Sequence, residues 1–129
     1  MTPDWLNNTV RAFGRQLGLK EFAMNERGAA GVRFENGMSL MLEYAAEALI
    51  VSVRVPMAPS GENLKRLLAD AHYSVAAGGQ ARVRTAYLPK SGEAAYVTRI
   101  DERLVNVSAI EGAFRSMWDM AIRLGRAAA

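Results

Sequence analysis

The stretch SGENLKRLLADAHYSVAAGGQARVRTAY, residues 60–87, decides how the rest of the chain is read. It divides into a helix, a glycine break and a strand. Pro59-Ser60-Gly61 stops the element before it and offers Ser60 as a helix cap. Leu64, Leu67, Leu68, Ala71 and Val75 then recur at spacings of three and four, which puts them on one helical stripe. Gly78-Gly79 ends the helix, because glycine adopts positive φ without steric cost. In residues 80–87, Val83, Thr85 and Tyr87 alternate with Arg82, Arg84 and Ala86. The helix stands mid-chain, after three strand candidates and before the last two. Its stripe must cover the sheet or meet a partner.

Working back from this helix, the alternation upstream reads as strands at 30–34, 38–44 and 49–55. A two-residue Asn36-Gly37 loop would put Phe34 opposite Ser39 and bury the wrong set. A three-residue Glu35-Asn36-Gly37 loop pairs Phe34 with Met38 and Val32 with Leu40, with Gly37 in the left-handed position. The next loop, 45–48, pairs Tyr44 with Leu49, Leu42 with Val51 and Leu40 with Val53. The result is an antiparallel meander with one apolar face.

Residues 3–17 read as a first helix, with Thr2 as cap, Pro3 at the first position and Asp4 at the positive end of the dipole. Leu6, Val10, Phe13 and Leu17 form its stripe, and Gly18 stops it. Gly14 inside it costs about 1 kcal/mol relative to alanine, so it marks either a close contact or a tolerated defect. After residue 87, Leu88-Pro89-Lys90-Ser91-Gly92-Glu93 is a turn leading into a strand at 94–100. Ser108 with Glu111 fits a capping box. Ile110, Phe114, Met117, Trp118, Ala121 and Leu124 share one face of a last helix, which Gly125 ends.

Helix, three strands, helix, two strands, helix in 129 residues predicts a single α+β domain. Its core is a twisted antiparallel sheet of about five strands with three helices. Three amphipathic helices exceed what one apolar sheet face covers, so one stripe is expected to meet a second copy of the chain. The central stripe, Leu64, Leu67, Leu68, Ala71 and Val75, is the expected dimer interface.

The chain has no cysteine, which excludes disulfides, thiolate metal sites and a cysteine nucleophile. His72 is its one histidine, with no second imidazole to complete a metal site. There is no nucleophile elbow and no phosphate loop, and the paired carboxylates Glu43/Glu47 and Asp101/Glu102 sit at turns. A non-enzyme with no cofactor and no metal is expected. No apolar run reaches the roughly 18–20 residues of a membrane span. The N-terminus also lacks the pattern of a secretory signal, so a cytoplasmic protein is expected. The formal charge is +3 and the pI about 9.6, with thirteen arginines scattered along the chain. Arg82, Arg84 and Arg99 would share the outer sheet face if the last two strands pair. That is either a solvated surface or a dock for an acidic segment or nucleic acid.

At this point the organisation resembles the class I chaperones of bacterial type III secretion, the Tir-chaperone (CesT-like) family. The likeness spans nearly the whole chain. It lies in the first helix (residues 5–19) ending in Leu17-Gly18-Leu19, in residues 63–71 of the central helix, and in the closing strand, turn and apolar last helix. The family is typically acidic and this chain is basic. The resemblance implies a homodimer formed through the central helix, without ATP or catalysis. It implies that the dimer holds an unfolded N-terminal segment of a secreted effector protein by strand addition and apolar insertion. It also implies a secretion ATPase as a further partner. Trp5, Phe13, Phe34, Met38 and Met41 are the expected client-binding residues, Trp5 because it lies off its helix's stripe and the methionines because they adapt to varied side chains. Two alternatives stand beside this reading. One is a nucleic-acid-binding module using Arg82, Arg84 and Arg99; the other is a chaperone-like interaction domain outside secretion.

Overall fold

The computed structural model describes residues 2–72, 76–77 and 81–128. Along the chain run α1 (Asp4–Gln16), β1 (Ala29–Arg33), β2 (Ser39–Ala45), β3 (Ala48–Pro56), α2 (Gly61–His72), β4 (Ala76–Ala77), β5 (Ala81–Arg82), β6 (Arg84–Leu88), β7 (Glu93–Asp101) and α3 (Val107–Ala127). Val75 and the Gly78-Gly79 break lie outside the described residues, as do the side chains of Ala71 and His72.

The meander has the register that side-chain parity requires. Val32 faces Leu40, and Tyr44, Leu42 and Leu40 face Leu49, Val51 and Val53. The Phe34 amide donates to the Met38 carbonyl at 2.8 Å, and Gly37 turns the chain at φ 86°. The second turn is tighter: Ala46 and Glu47 both have positive φ, at 51° and 59°. This turn type follows the strand twist, but it strains residues that carry a Cβ. Two donors from β7 and the residue after it steady the turn. The Arg99 guanidinium donates to the Ala46 carbonyl at 2.9 Å, and the Glu102 amide donates to the Glu47 carbonyl at 3.1 Å.

The last long strand, β7, pairs with β3, and β6 lies outside β7, so the antiparallel sheet runs β1-β2-β3-β7-β6. Its edges are β1 and β6. The expected strand at 80–87 is divided. Residues 81–82 fold back on 76–77 as a two-residue hairpin, and pairing with β7 begins only at Arg84. The Thr98 hydroxyl donates to the Arg82 carbonyl at 2.9 Å, tying that hairpin to β7.

The inner sheet face, with Leu40, Leu42, Val51, Val53, Ala94 and Tyr96, is buried beneath the helices. From α1 come Leu6, Val10 and Phe13; from α3 come Ile110, Phe114, Met117, Ala121 and Leu124. A Cβ on Gly14 would lie 2.6 Å from the Phe22 Cβ, so this glycine admits the returning connector against α1. α1 ends as expected. The Leu19 amide donates to the Gly14 carbonyl (2.8 Å) and the Gly18 amide to that of Arg15 (3.0 Å), a Schellman closure.

Three terminal expectations are corrected. Thr2 does not cap α1: Pro3 occupies the cap position, so the Thr2 hydroxyl sits one residue too early to reach the free amides. The cap of α3 is Asn106, whose side chain accepts from the Ala109 amide at 2.7 Å; the helix therefore starts before Ser108, and Glu111 pairs with Arg115 instead. Gly125 does not end α3. It stays helical because its missing Cβ lets α3 approach Val55, whose Cγ2 would lie 3.3 Å from that Cβ.

The central helix behaves differently from the other two. Ser60 caps it as expected, its Oγ accepting from the Asn63 amide at 3.1 Å. It lies beside β6 and α3, at one end of the inner face. Leu67 is buried there, Leu64 is half-buried against the core, and Leu68 points away.

Candidate functional site

The open edge at β1 follows from hydrogen-bond alternation. In an antiparallel ladder every second residue directs its N–H and C=O to the neighbouring strand, and the others point away. Gly28 and Phe34 bond to β2 or its turn, as the 2.8 Å contacts with Tyr44 and Met38 fix. By parity Ala30 and Val32 also face β2, and Ala29, Gly31 and Arg33 face outward. Asn25 occupies Ala29 from both sides: its amide donates to the Ala29 carbonyl, and its side chain accepts from the Ala29 amide. Gly31 and Arg33, both exposed, are left to present outward amides and carbonyls.

Apolar surface flanks this edge on each side of the sheet. On the outer face, Met41 lies opposite Gly31. Its sulfur would stand 3.2 Å from a Cβ placed there, so the thioether spreads across the position that a side chain would otherwise fill. On the inner face, Phe34 meets α3. Its ring centroid is 5.0 Å from that of Trp118 and 6.3 Å from that of Phe114. Phe114 in turn meets Phe13 at 6.1 Å, and Phe13 meets Phe22 at 6.2 Å. An aromatic chain thus runs from the core to the surface at the β1–β2 turn. Beside it a groove of about 380 Å³ lies between that turn and α3, lined by Asn36, Met38, Pro56, Ala121 and Ile122 among others.

The five expected client residues therefore separate. Phe13 and Met38 are core, at 0% and 2% exposure, with Met38 also lining the groove beside α3. They are buried because α3, and not α1, closes over the strands at Phe34. Phe34 and Met41 are half-buried on opposite sheet faces beside the same edge. Trp5 is 44% exposed on α1. Trp118, against Phe34, and Ile122, in the groove, are not among the expected residues. Trp118 belongs to the apolar face of α3 in sequence, and only its place beside Phe34 brings it to the rim.

The central stripe also separates. Leu67 is 3% exposed and Leu68 is 66% exposed. A part-buried hydrogen bond accompanies that orientation: the Tyr96 hydroxyl donates to Asp70 Oδ2 at 2.6 Å, joining α2 to β7. Burial, followed by the hydrogen bond to Asp70 and its charge, pushes the Tyr96 phenol far above its ordinary pKa.

Among the described residues, no group of His, Cys, Asp or Glu is arranged to hold a metal ion. No described helix is long and apolar enough to cross a membrane. What the arrangement can do is bind chain: it offers backbone groups in strand geometry, with adaptable apolar surface on each side.

The profile of the Tir chaperone protein (CesT) family matches residues 8–124. No curated protein sequence matches the chain. Among solved structures, a chain of the ExsC–ExsE complex superposes with a TM-score of 0.78 at 16% identity, covering 96% of this chain and 93% of that one. A chain of the HopA1–SchA chaperone–effector complex gives 0.72 at 17% identity, covering 97% and 99%. A chain from the complex of the Yersinia pestis type III secretion chaperone SycH with a stable fragment of YscM2 gives 0.70 at 19%, covering 92% and 98%. At such identities the likeness is one of fold.

Proposed function

This chain belongs to the Tir chaperone protein (CesT) family, and on that premise we propose that it is a cytoplasmic type III secretion chaperone. It works as a homodimer. It holds an unfolded N-terminal segment of a secreted effector in a secretion-competent state, without ATP or catalysis, and presents it to the secretion ATPase. The HopA1–SchA structure is that of a chaperone–effector complex, and the SycH structure holds a fragment of YscM2. Both support a protein segment as the ligand.

The observation that carries the reading is the β1 edge. A client strand added there takes up the outward amides and carbonyls of Gly31 and Arg33. Its side chains alternate between the two sheet faces. Those on one face meet Met41; those on the other reach Phe34, Trp118 and the groove beside α3. Both surfaces suit an unfolded client, because backbone pairing is indifferent to sequence and methionine and aromatic surfaces accept varied shapes. α2 supplies the dimer contact through Leu68, with Leu64 beside it; Leu67 anchors the helix to its own protomer.

The test begins with co-purification from the native host and mass spectrometry of what co-elutes. The disordered N-terminal segment of that partner is then added to the purified chaperone in a hydrogen-exchange experiment. The Gly31 and Arg33 amides are expected to gain protection, while Val32, already bonded to β2, changes little. Protection confined to other elements, with β1 unchanged, refutes the edge as the client site.

A further inference from the structure

The outer sheet face carries a second feature, unrelated to the β1 edge. Arg84 lies opposite Val97, and Arg99 lies opposite Ile50, so all four share the face that no helix covers. Arg82 is exposed two residues before Arg84, with the buried Val83 between them. Arg82 lies outside the β6–β7 register, but the Thr98 hydroxyl donates to its carbonyl at 2.9 Å, which sets Arg82 next to the neighbour of Arg99. These residues, with Thr98, line a depression of about 410 Å³ whose floor is Ile50 and Val97.

Like charges opposite one another on a sheet are destabilising unless an acid intervenes. Among the described residues none of these three arginines forms an ion pair, the pairs being those of Arg33, Arg66, Arg103 and Arg115; Asp101, which feels the charge of Arg99, is engaged by Arg103 instead. The residues outside the described set carry no acidic side chain either. Arg99 spends one nitrogen on the Ala46 carbonyl. Arg82 and Arg84 have no such bond among the described residues. Sequence that breaks a local rule without a structural return points to a function.

We infer that this face docks an extended acidic segment of a partner protein. Guanidinium forks pair two-pronged with carboxylates. In an extended peptide, side chains on one face repeat about every 6.8 Å, so successive acidic side chains on one face can meet Arg82, Arg84 and Arg99. Ile50 and Val97 take an aliphatic side chain placed between the acidic ones. Nucleic acid fits less well, because the depression has no aromatic platform for bases. A second copy also fits less well, because a two-fold contact brings the same arginines toward each other. The patch is centred on β7, three strands and roughly 14 Å from β1, so its failure and that of the client edge are separately readable.

The probe is a synthetic peptide of about 12 residues alternating Glu and Val, long enough to span the patch in extended form, titrated calorimetrically into the full chain. The wild type is expected to bind it, and to bind more weakly as salt rises from about 50 to about 300 mM. Arg84→Gln is expected to weaken binding roughly tenfold, and the Arg84→Gln/Arg99→Gln pair further. Arg11→Gln/Arg15→Gln, which removes the same charge from α1, is expected to leave affinity within about twofold, the margin for a surface change away from the site. Thermal unfolding of Arg84→Gln alone guards against loosening of the turn that Arg99 supports. The proposal is overturned by any of four results: no binding, equal loss in the α1 pair, equal binding of a twelve-nucleotide oligothymidine with the same arginine dependence, or a shift of the Arg84→Gln variant to a lower oligomeric state.

Discussion

Leu68→Glu separates the role of α2 in holding the protomer from its proposed role in holding a dimer. Leu68 is 66% exposed, while its neighbour Leu67 is 3% exposed. Burying a whole leucine side chain is worth about 1.5–3 kcal/mol, so covering the exposed two-thirds of Leu68 is worth about 1–2 kcal/mol. A two-fold contact uses it twice, about 2–4 kcal/mol per dimer. Loss of that much raises the dimer dissociation constant by about 30- to 800-fold, and the desolvation of an introduced carboxylate adds to the loss. The fold of the protomer should barely respond, because an exposed substitution usually changes stability by no more than about 0.5 kcal/mol. Leu67→Ala is the counterpart. It leaves a cavity under α2 and costs about 2–5 kcal/mol of folding stability. Sedimentation velocity across a concentration series, together with thermal unfolding of both variants, reads the difference. Wild-type protein that stays monomeric at high micromolar concentration refutes the reasoning. So does a Leu68→Glu protein that dimerises as well as wild type.

The other predictions concern the proposed client surface, a strained turn and a buried phenol. Trp5→Ala and Met41→Glu should weaken binding of the client segment in titration while stability stays within about 1 kcal/mol of wild type; Phe13→Ala should instead cost about 3–5 kcal/mol and lose binding only through unfolding. Asn at position 46 with Gly at 47, the pair Ala46→Asn/Glu47→Gly, relieves two left-handed residues and should raise stability by about 1–3 kcal/mol in chemical denaturation. For Tyr96, the folded pKa is raised above the unfolded value of 10.0. Its contribution is therefore fully present below pH 10 and is lost as pH rises above it. Wild type should lose stability above about pH 10 more steeply than Tyr96→Phe, and equal slopes would remove the Tyr96–Asp70 bond from the account.

Local periodicity was enough for the three helices, the α+β class and the register of the meander. Side-chain parity leaves one loop length at Glu35-Asn36-Gly37 that buries Val32 and Phe34 together with Met38, Leu40 and Leu42, so near neighbours in sequence determine it. The family resemblance was legible for the same reason, since it rests on element order. The edge was not legible. Pairing of β3 with β7 joins segments some forty residues apart, and alternation within a strand says nothing of which distant strand lies beside it. Until that pairing is known, β1 cannot be recognised as an edge, nor Gly31 as the gap that Met41 fills. The leucine stripe shows the same limit: Leu67 and Leu68 differ by only about 100° around the helix, and both satisfy an amphipathic pattern. Which of them is buried depends on how α2 is rotated against β6 and α3, a rotation that the Tyr96–Asp70 bond accompanies. Trp118 likewise became a surface residue beside Phe34 only because α3, rather than α1, closes over that end of the sheet. Local sequence determines which faces are apolar; packing between distant elements determines which of those faces remain open.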